Sequence, residues 1–285
     1  MSPPVFRFAP SPNGHLHLGH AYSALLNERM ARETGGRFLL RIEDIDLGRC
    51  RPEYEIAILE DLEWLGLEWE TPVRRQSEHF ASYALALQRL YSQGLVYPSF
   101  MSRKDIDAAF RSSGGVWPRD PHGAPAYPSL EREMDPEALA RRVEAGEDHA
   151  LRLDMAKAVM LFHHDLEWTE TGPDGQQRVI ADPEAWGDII LARKDAPTSY
   201  HLSVTIDDAL QDVTHIVRGT DLYRSTSIHR LLQQLLGLPE PVYHHHNLLT
   251  APDGLKLAKS AGSPSLRSLR EQGVGPADIR RQLGF

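Results

Sequence analysis

Residues 5–33, VFRFAPSPNGHLHLGHAYSALLNERMARE, constrain the fold more than any other stretch of the chain. VFRFA is a short apolar run of the kind that forms a buried strand, and Pro10, Pro12 and Gly14 break it at once. Beyond Gly19, the residues Ala21, Leu25, Leu26 and Met30 recur at helical spacing. The segment therefore reads as strand, tight loop and helix, with His17 and His20 where the loop meets the helix. A helix N-terminus presents free backbone N–H groups and the positive end of a dipole, which suits a phosphate. Histidines at that point add donors to the same anion, although exposed loop histidines give the same pattern.

The alternation continues. RFLLRIED reads as a second buried strand that ends in Glu43, Asp44 and, just beyond, Asp46. Pro52 opens the helix PEYEIAILEDLEWLGL, and another helix is expected from about residue 77 to 93, stopped by Gly94. Strand, helix, strand, helix, helix in this order implies a parallel α/β sheet, and its ligand belongs at the carboxyl ends of the strands, where those acids stand. The character changes near Tyr97. Residues 112–128, SSGGVWPRDPHGAPAYP, are too rich in glycine and proline for a regular element. A helix over 136–145, a strand in HALRLDM and a hairpin in LEWTETGPDGQQRVI follow. We therefore expect residues 97–189 to be inserted between two halves of one α/β domain, 1–96 and 190–249. In the second half, IILARK, YHLSVTIDDAL and VTHIVRG resume the alternation, and the helix TDLYRSTSIHRLLQQLL ends at Gly237. Residues 250–285 form a last loop and a short helical segment.

The bulk properties exclude several classes. A net charge of −9 argues against a chain held on nucleic acid by a global basic field. Local groups of arginine remain, Arg218, Arg224 and Arg230 in one region and Arg267, Arg270, Arg280 and Arg281 near the end. A nucleic-acid partner is thus expected on a limited face, with binding that weakens quickly as salt rises. No apolar run is long enough to cross a bilayer, and MSPPVFRF lacks the features of a secretory signal. The single cysteine, Cys50, excludes an internal disulfide and fits a reducing compartment. A cytoplasmic monomer with no membrane partner is the expectation.

Two short motifs then acquire meaning together. His17-Leu18-Gly19-His20 and KLAKS, residues 256–260, resemble the HIGH and KMSKS signatures of class I aminoacyl-tRNA synthetases. RFAPSPNGHLHLGHAYSALLN, GGRFLLRIEDIDLGR, EDLEWLGLEWE and IDDALQDVTHIVRGTDL are similar to the glutamyl branch of that class. The resemblance implies a Rossmann-type catalytic domain with an inserted α+β subdomain, ATP as substrate with Mg²⁺, and L-glutamate as the amino acid. On that pattern Arg7, Ala9 and Ser11 contact glutamate, Glu43 receives its ammonium group, and Tyr200 and Arg218 complete the pocket. The chemistry agrees, since a carboxylate side chain calls for arginine and an ammonium for a carboxylate. His17, Gly19 and His20 would hold the ATP phosphates, and Lys256 and Lys259 the leaving pyrophosphate. Ala258 replaces the usual serine, which removes a hydroxyl and keeps both charges, so a weaker loop contact is expected.

Full-length glutamyl enzymes continue into a helical anticodon-binding region, whereas this chain runs only from Ser260 to Phe285 beyond its lysines. It therefore resembles the short glutamyl-queuosine tRNA(Asp) synthetase family, which has no anticodon-binding domain. That implies transfer of activated glutamate to the queuosine base in the anticodon of tRNA(Asp). Two alternatives stand beside it, a truncated glutamyl-tRNA synthetase charging a tRNA 3′ end and a non-catalytic descendant that binds glutamate or tRNA. The phosphate-handling residues speak against the second.

One departure concerns metal. Many members bind zinc in the insertion through a Cys-x-Cys pair, a tyrosine and a further cysteine. Here Ser99, Met101 and Glu131 stand at the cysteine positions and Tyr127 is kept, a set unsuited to structural zinc. No zinc is expected, with apolar packing around Met101 and Trp117 in its place. The runs His163–His164 and His244–His246 are read as structural or surface residues, because neighbours on a strand face opposite sides. His15 has no assigned role.

Overall fold

A computed structural model describes residues 2–114, 116–249 and 264–285. Strand β1 (Val5–Phe8) is buried along its whole length and leads through the Pro-Gly loop into α1 (Leu18–Glu33). The chain returns as β2 (Arg37–Ile42), continues through α2 (Pro52–Trp64) and β3 (Glu70–Arg75), and reaches α3 (Phe80–Ser92). A 3₁₀ turn over Gln76–His79 precedes α3, so the α-helix starts later than the spacing of its apolar residues implies.

The next part holds β4 (Val96–Ser99), α4 (Arg103–Ser112), α5 (Pro136–Glu144), β5 (Ala150–Leu153) and α6 (Met155–Met160). The hairpin β6 (Glu167–Gly172) and β7 (Gly175–Ile180) and the strand β8 (Ile190–Arg193) follow. Then come α7 (Tyr200–Leu210), β9 (His215–Gly219), α8 (Thr226–Leu236), β10 (Val242–His246), α9 (Leu266–Glu271) and α10 (Pro276–Leu283).

Among the described residues seven strands form one sheet in the order β3-β2-β1-β9-β10-β6-β7, parallel except for the β6–β7 hairpin. Phe6 of β1 lies opposite both Phe38 of β2 and His215 of β9. Three further strands, β4-β5-β8, form a small antiparallel sheet. One face of the large sheet is filled by Phe6, Leu25, Leu40, Ile58 and Val217, with Leu266 and Ile279 of the last two helices packed among them. A second core joins α3, α7 and α8 through Tyr83, Leu90, Leu202, Leu231 and Leu232.

The sheets distribute the chain differently from the linear division into 97–189 and 190–249. The hairpin β6–β7 extends the large sheet beside β10, and β8 pairs with β5 in the small one. Trp168 and Tyr243, both buried, pack with Val213 and Ile216 and hold the hairpin there, while Thr171 Oγ1 donates to Tyr243 O at 3.0 Å. An alternating hairpin sequence carries no mark of the sheet edge that it will extend. No helix among the described residues is long and apolar enough to cross a membrane.

Candidate active site

From β1 the chain winds to β2 and β3 on one side, whereas β9 leads to β10 on the other. The strand order thus reverses between β1 and β9, and a crevice opens beyond their carboxyl ends, the usual ligand position in such sheets. A cleft of about 710 Å³ occupies it, lined by Arg7, Ala9, Ser11, His17, Gly19, His20, Glu43, Tyr200 and Arg218. Every site residue expected from the sequence is therefore in one cleft except Lys256 and Lys259, which lie outside the described residues.

His17 is the N-cap of α1. Its Nδ1 accepts from Gly19 N at 3.1 Å, while its own backbone N–H donates to His20 Nδ1 at 3.2 Å. The two rings lie against each other, tilted by 35°, with centroids 3.8 Å apart. With both Nδ1 atoms accepting, each neutral ring carries its proton on Nε2 and is a donor there. The helix start thus combines backbone N–H groups with two imidazole donors around one anion position. Gly19 has little room to change, since a Cβ would stand 3.0 Å from the His17 ring.

The arginines are held by acids that sequence reasoning did not single out. Asp208 on α7 accepts from Arg7 Nε at 3.0 Å and from Arg41 Nη1 at 2.8 Å. Arg41, wholly buried, also donates from Nη2 to Glu43 Oε1 at 3.1 Å. Asp207 takes Arg74 Nε, Gln76 Nε2 and the Tyr83 hydroxyl, each at 2.8 Å. Burial works against the Asp208 charge, yet Arg7 and Arg41 hold its carboxyl below the usual range. For Glu43 burial wins and pushes the carboxyl up, against the pull of Arg41 and Arg7. An incoming ammonium would favour its charged form. The signal was available in the sequence: two adjacent aspartates inside the otherwise apolar VTIDDAL are too costly to bury without cations.

Arg218 is only 5% exposed and is gripped on three sides. Nε donates to His245 Nε2 at 3.1 Å, Nη1 to His229 Nδ1 at 3.1 Å, and Nη2 to Thr226 Oγ1 at 2.8 Å and Leu222 O at 3.2 Å. Behind His245, Glu170 accepts from its Nδ1 at 2.9 Å. Behind His229, Nε2 lies 3.1 Å from His201 Nδ1. Burial beside the guanidinium lowers all three histidines, His201 to about 3. His245 thus takes part in fixing a cleft residue, while His163 and His164 are exposed.

The expected zinc positions hold something else. Ser99 Oγ accepts from Arg152 Nε at 3.0 Å, and the Arg152 guanidinium lies 3.8 Å from the Tyr127 ring centroid. The Tyr127 hydroxyl donates to Glu131 at 2.7 Å, and Phe100 N donates to the same carboxylate at 3.0 Å. The apolar packing expected around Met101 and Trp117 is corrected accordingly. Both are only half-buried, and a polar cluster centred on Arg152 and Glu131 fills the place. With Ser99, Tyr127 and Glu131 committed to one another and to Arg152, these side chains do not suit zinc.

A second cleft, of about 510 Å³, opens between the two sheets and shares Ser11, Asn13, Glu43 and Tyr200 with the first. Arg49, Arg103, Arg152 and Arg193 reach its walls from four separate segments, balanced by Glu43, Asp46, Asp120 and Asp188 in the same lining.

The comparisons with known proteins agree with this geometry. The family described as tRNA synthetases class I (E and Q), catalytic domain, matches residues 5–284. A protein named Glutamyl-Q tRNA(Asp) synthetase from Rhodobacter capsulatus is 47% identical over 285 residues, covering 99% of this chain and 100% of that one. Glutamate–tRNA ligase 1 of Ruegeria pomeroyi is 38% identical across 97% of this chain, but the match spans 59% of that protein. A crystal structure of a glutamate tRNA ligase from Elizabethkingia meningosepticum, in complex with its amino acid, superposes with a TM-score of 0.74 at 27% identity. It matches 96% of this chain, which spans about half, 54%, of that structure.

Proposed function

The chain belongs to the class I tRNA synthetase family of the glutamate and glutamine type, and on that premise we propose that it activates L-glutamate with ATP and transfers it to the queuosine base in the anticodon of tRNA(Asp). The observation that carries the first half is the cleft, where Arg7, Arg218, the Glu43 carboxylate and a donor-rich helix start converge. Whole-length similarity to a protein named for the queuosine acceptor supports the second half. We take the enzyme to act as a monomer in the cytoplasm.

The residues divide the work by charge. Arg7 and Arg218 bind the side-chain carboxylate of glutamate, aided by Tyr200, while Glu43 takes its ammonium group. Ala9 and Ser11 line the same pocket. This leaves the α-carboxylate directed toward the start of α1. One of its oxygens attacks the α-phosphorus of ATP, the bond to the β-phosphate breaks, and pyrophosphate leaves. His17 and His20 donate from Nε2 to the α-phosphate as charge builds on it, and the backbone at Gly19 adds to the same cradle. Lys256 and Lys259 neutralise the departing pyrophosphate. In the second step an acceptor hydroxyl forms a bond to the glutamyl carbonyl carbon, the anhydride bond breaks, and AMP leaves with the hydroxyl proton on its phosphate.

Magnesium would travel with the nucleotide. Besides Glu43, which is engaged by Arg41, Asp221 is the carboxylate lining the cleft. That suits an ion held mainly by phosphates and water, the ordinary habit of Mg²⁺.

Glutamate-dependent exchange of labelled pyrophosphate into ATP, with no tRNA present, tests the activation step. Exchange is the expected result. Its absence, both alone and with added queuosine-bearing tRNA(Asp), would leave a chain that binds but does not react.

A further inference from the structure

Arg218 dictates the proton positions of two histidines beyond it. A guanidinium only donates, so His229 Nδ1, 3.1 Å from Arg218 Nη1, must be an acceptor. A neutral His229 then carries its proton on Nε2, which lies 3.1 Å from His201 Nδ1 and donates to it. His201 Nδ1 is thereby an acceptor too, and the His201 proton resides on Nε2. The direction of this relay follows from the chemistry of arginine and from two distances. Reversing it would set an N–H of His229 against an N–H of Arg218.

His201 lines the second cleft, beside Tyr200, which lines both. Its ring makes edge contacts with Trp186 at 5.4 Å and Tyr200 at 5.4 Å, and Trp186 in turn meets His122 at 4.8 Å. A group of flat rings in a cleft that shares Glu43 and Tyr200 with the glutamate pocket fits a planar base brought up to that pocket. Burial, with the Arg218 guanidinium nearby, keeps His201 neutral.

Resting on the function proposed above, we infer that the second cleft receives the acceptor nucleoside and that His201 is its hydroxyl-binding residue, a fixed N–H donor and not a base. With Nδ1 occupied by His229 and Nε2 protonated, His201 has no lone pair with which to take a proton. It instead donates to the oxygen of an acceptor hydroxyl and holds it toward the glutamyl carbonyl. The hydroxyl proton therefore goes to the phosphate of the departing AMP. His229 is a positioning residue, transmitting the orientation of Arg218 from the glutamate pocket to the acceptor pocket.

The test compares His201→Phe, which removes the donor, with His201→Gln, whose amide places an N–H near the Nε2 position. Two rates are read, glutamate-dependent pyrophosphate exchange and single-turnover transfer from preformed adenylate to queuosine-bearing tRNA(Asp). Loss of one such hydrogen bond should lower transfer by His201→Phe about 10- to 30-fold more than exchange. His201→Gln should recover most of that difference. Transfer by the wild type should show no titration near pH 6 to 7 that disappears on substitution. Equal losses in both rates, or unimpaired transfer by the phenylalanine variant, would overturn the assignment. A wild type that exchanges but never transfers to this tRNA would overturn the acceptor reading and the inference with it.

Discussion

The backbone N–H of Leu266 donates to the carbonyl of Leu16 at 2.8 Å, and Ser265 pairs with His17 in an isolated antiparallel bridge. Ser265 and Leu266 are thus stapled to the segment that bears the two cleft histidines, so the last two helices and those histidines share one anchor. Leu266 itself is fully buried against the core that holds Phe6, Leu16 and Ile279. Leu266→Ala should cost about 2–4 kcal/mol by leaving a cavity in that core. It should also raise the KM for ATP in exchange more than that for glutamate. Urea unfolding and the two KM values check this, and equal changes in both KM values would contradict the shared anchor.

Asp208 bridges Arg7 and Arg41, with side chains 6%, 6% and 0% exposed in that order. Removing it strands two buried cations, so Asp208→Ala should lose about 3–5 kcal/mol. Glutamate affinity should fall at least tenfold, roughly the effect of one lost charge-assisted contact, because Arg7 loses its brace. Denaturant titration with isothermal calorimetry of glutamate binding reads both effects. Retained affinity in a folded variant would show that Arg7 needs no such support.

Asp61 on α2 is buried beneath α9, and among the described residues neither of its carboxylate oxygens accepts a hydrogen bond. Arg270 Nη1 is 3.8 Å from Oδ1. Burial pushes this carboxyl up to about 6, with Arg270 offsetting part of the shift. In the unfolded chain an aspartate titrates near ~3.9, so the folded state holds the extra proton between about pH 4 and pH 6. The contribution to stability is complete below about pH 4 and lost as pH rises through about pH 6. Asp61→Asn should therefore stabilise the protein at about pH 7.5 by on the order of 2 kcal/mol, with the gain vanishing near about pH 4. Urea midpoints at the two pH values test it, and a gap of constant size would contradict it.

The cluster at Ser99, Tyr127, Glu131 and Arg152 includes the positions at which the family resemblance would place zinc ligands. Its hydrogen bonds are complete without one. A strong zinc chelator should leave the thermal unfolding midpoint unchanged. Glu131→Ala, which strands the Phe100 N–H and the Tyr127 hydroxyl, should lower stability by about 1–3 kcal/mol. A chelator-dependent midpoint would contradict this account of the subdomain.

Much of this architecture was legible in the sequence where local and global signals coincide. The strand, loop and helix of residues 5–33, the Pro52 helix and the Gly237 stop all follow from turn residues and periodicity. Strand β3 was not legible, because ETPVRR is a polar edge strand with no buried residue to mark it. The cleft residues from Arg7 to Arg218 were found through motif resemblance, and their placement in one crevice follows from the strand order. Their supports were hidden because they are contacts between distant segments. Arg41 meets Asp208 across 167 positions, and Glu170 meets His245 across 75. Nothing local in RIED or YHHH announces such partners, although the cost of burying two adjacent aspartates gives notice that cations must be near.

The most direct measurement is transfer of labelled glutamate, with ATP, to three acceptors in parallel: tRNA(Asp) with queuosine, tRNA(Asp) without it, and tRNA(Glu). The account predicts label on the first alone, in a linkage to the modified base that survives removal of the tRNA 3′ end. Label on tRNA(Glu) that is lost with the 3′ end would contradict it and identify an ordinary charging enzyme.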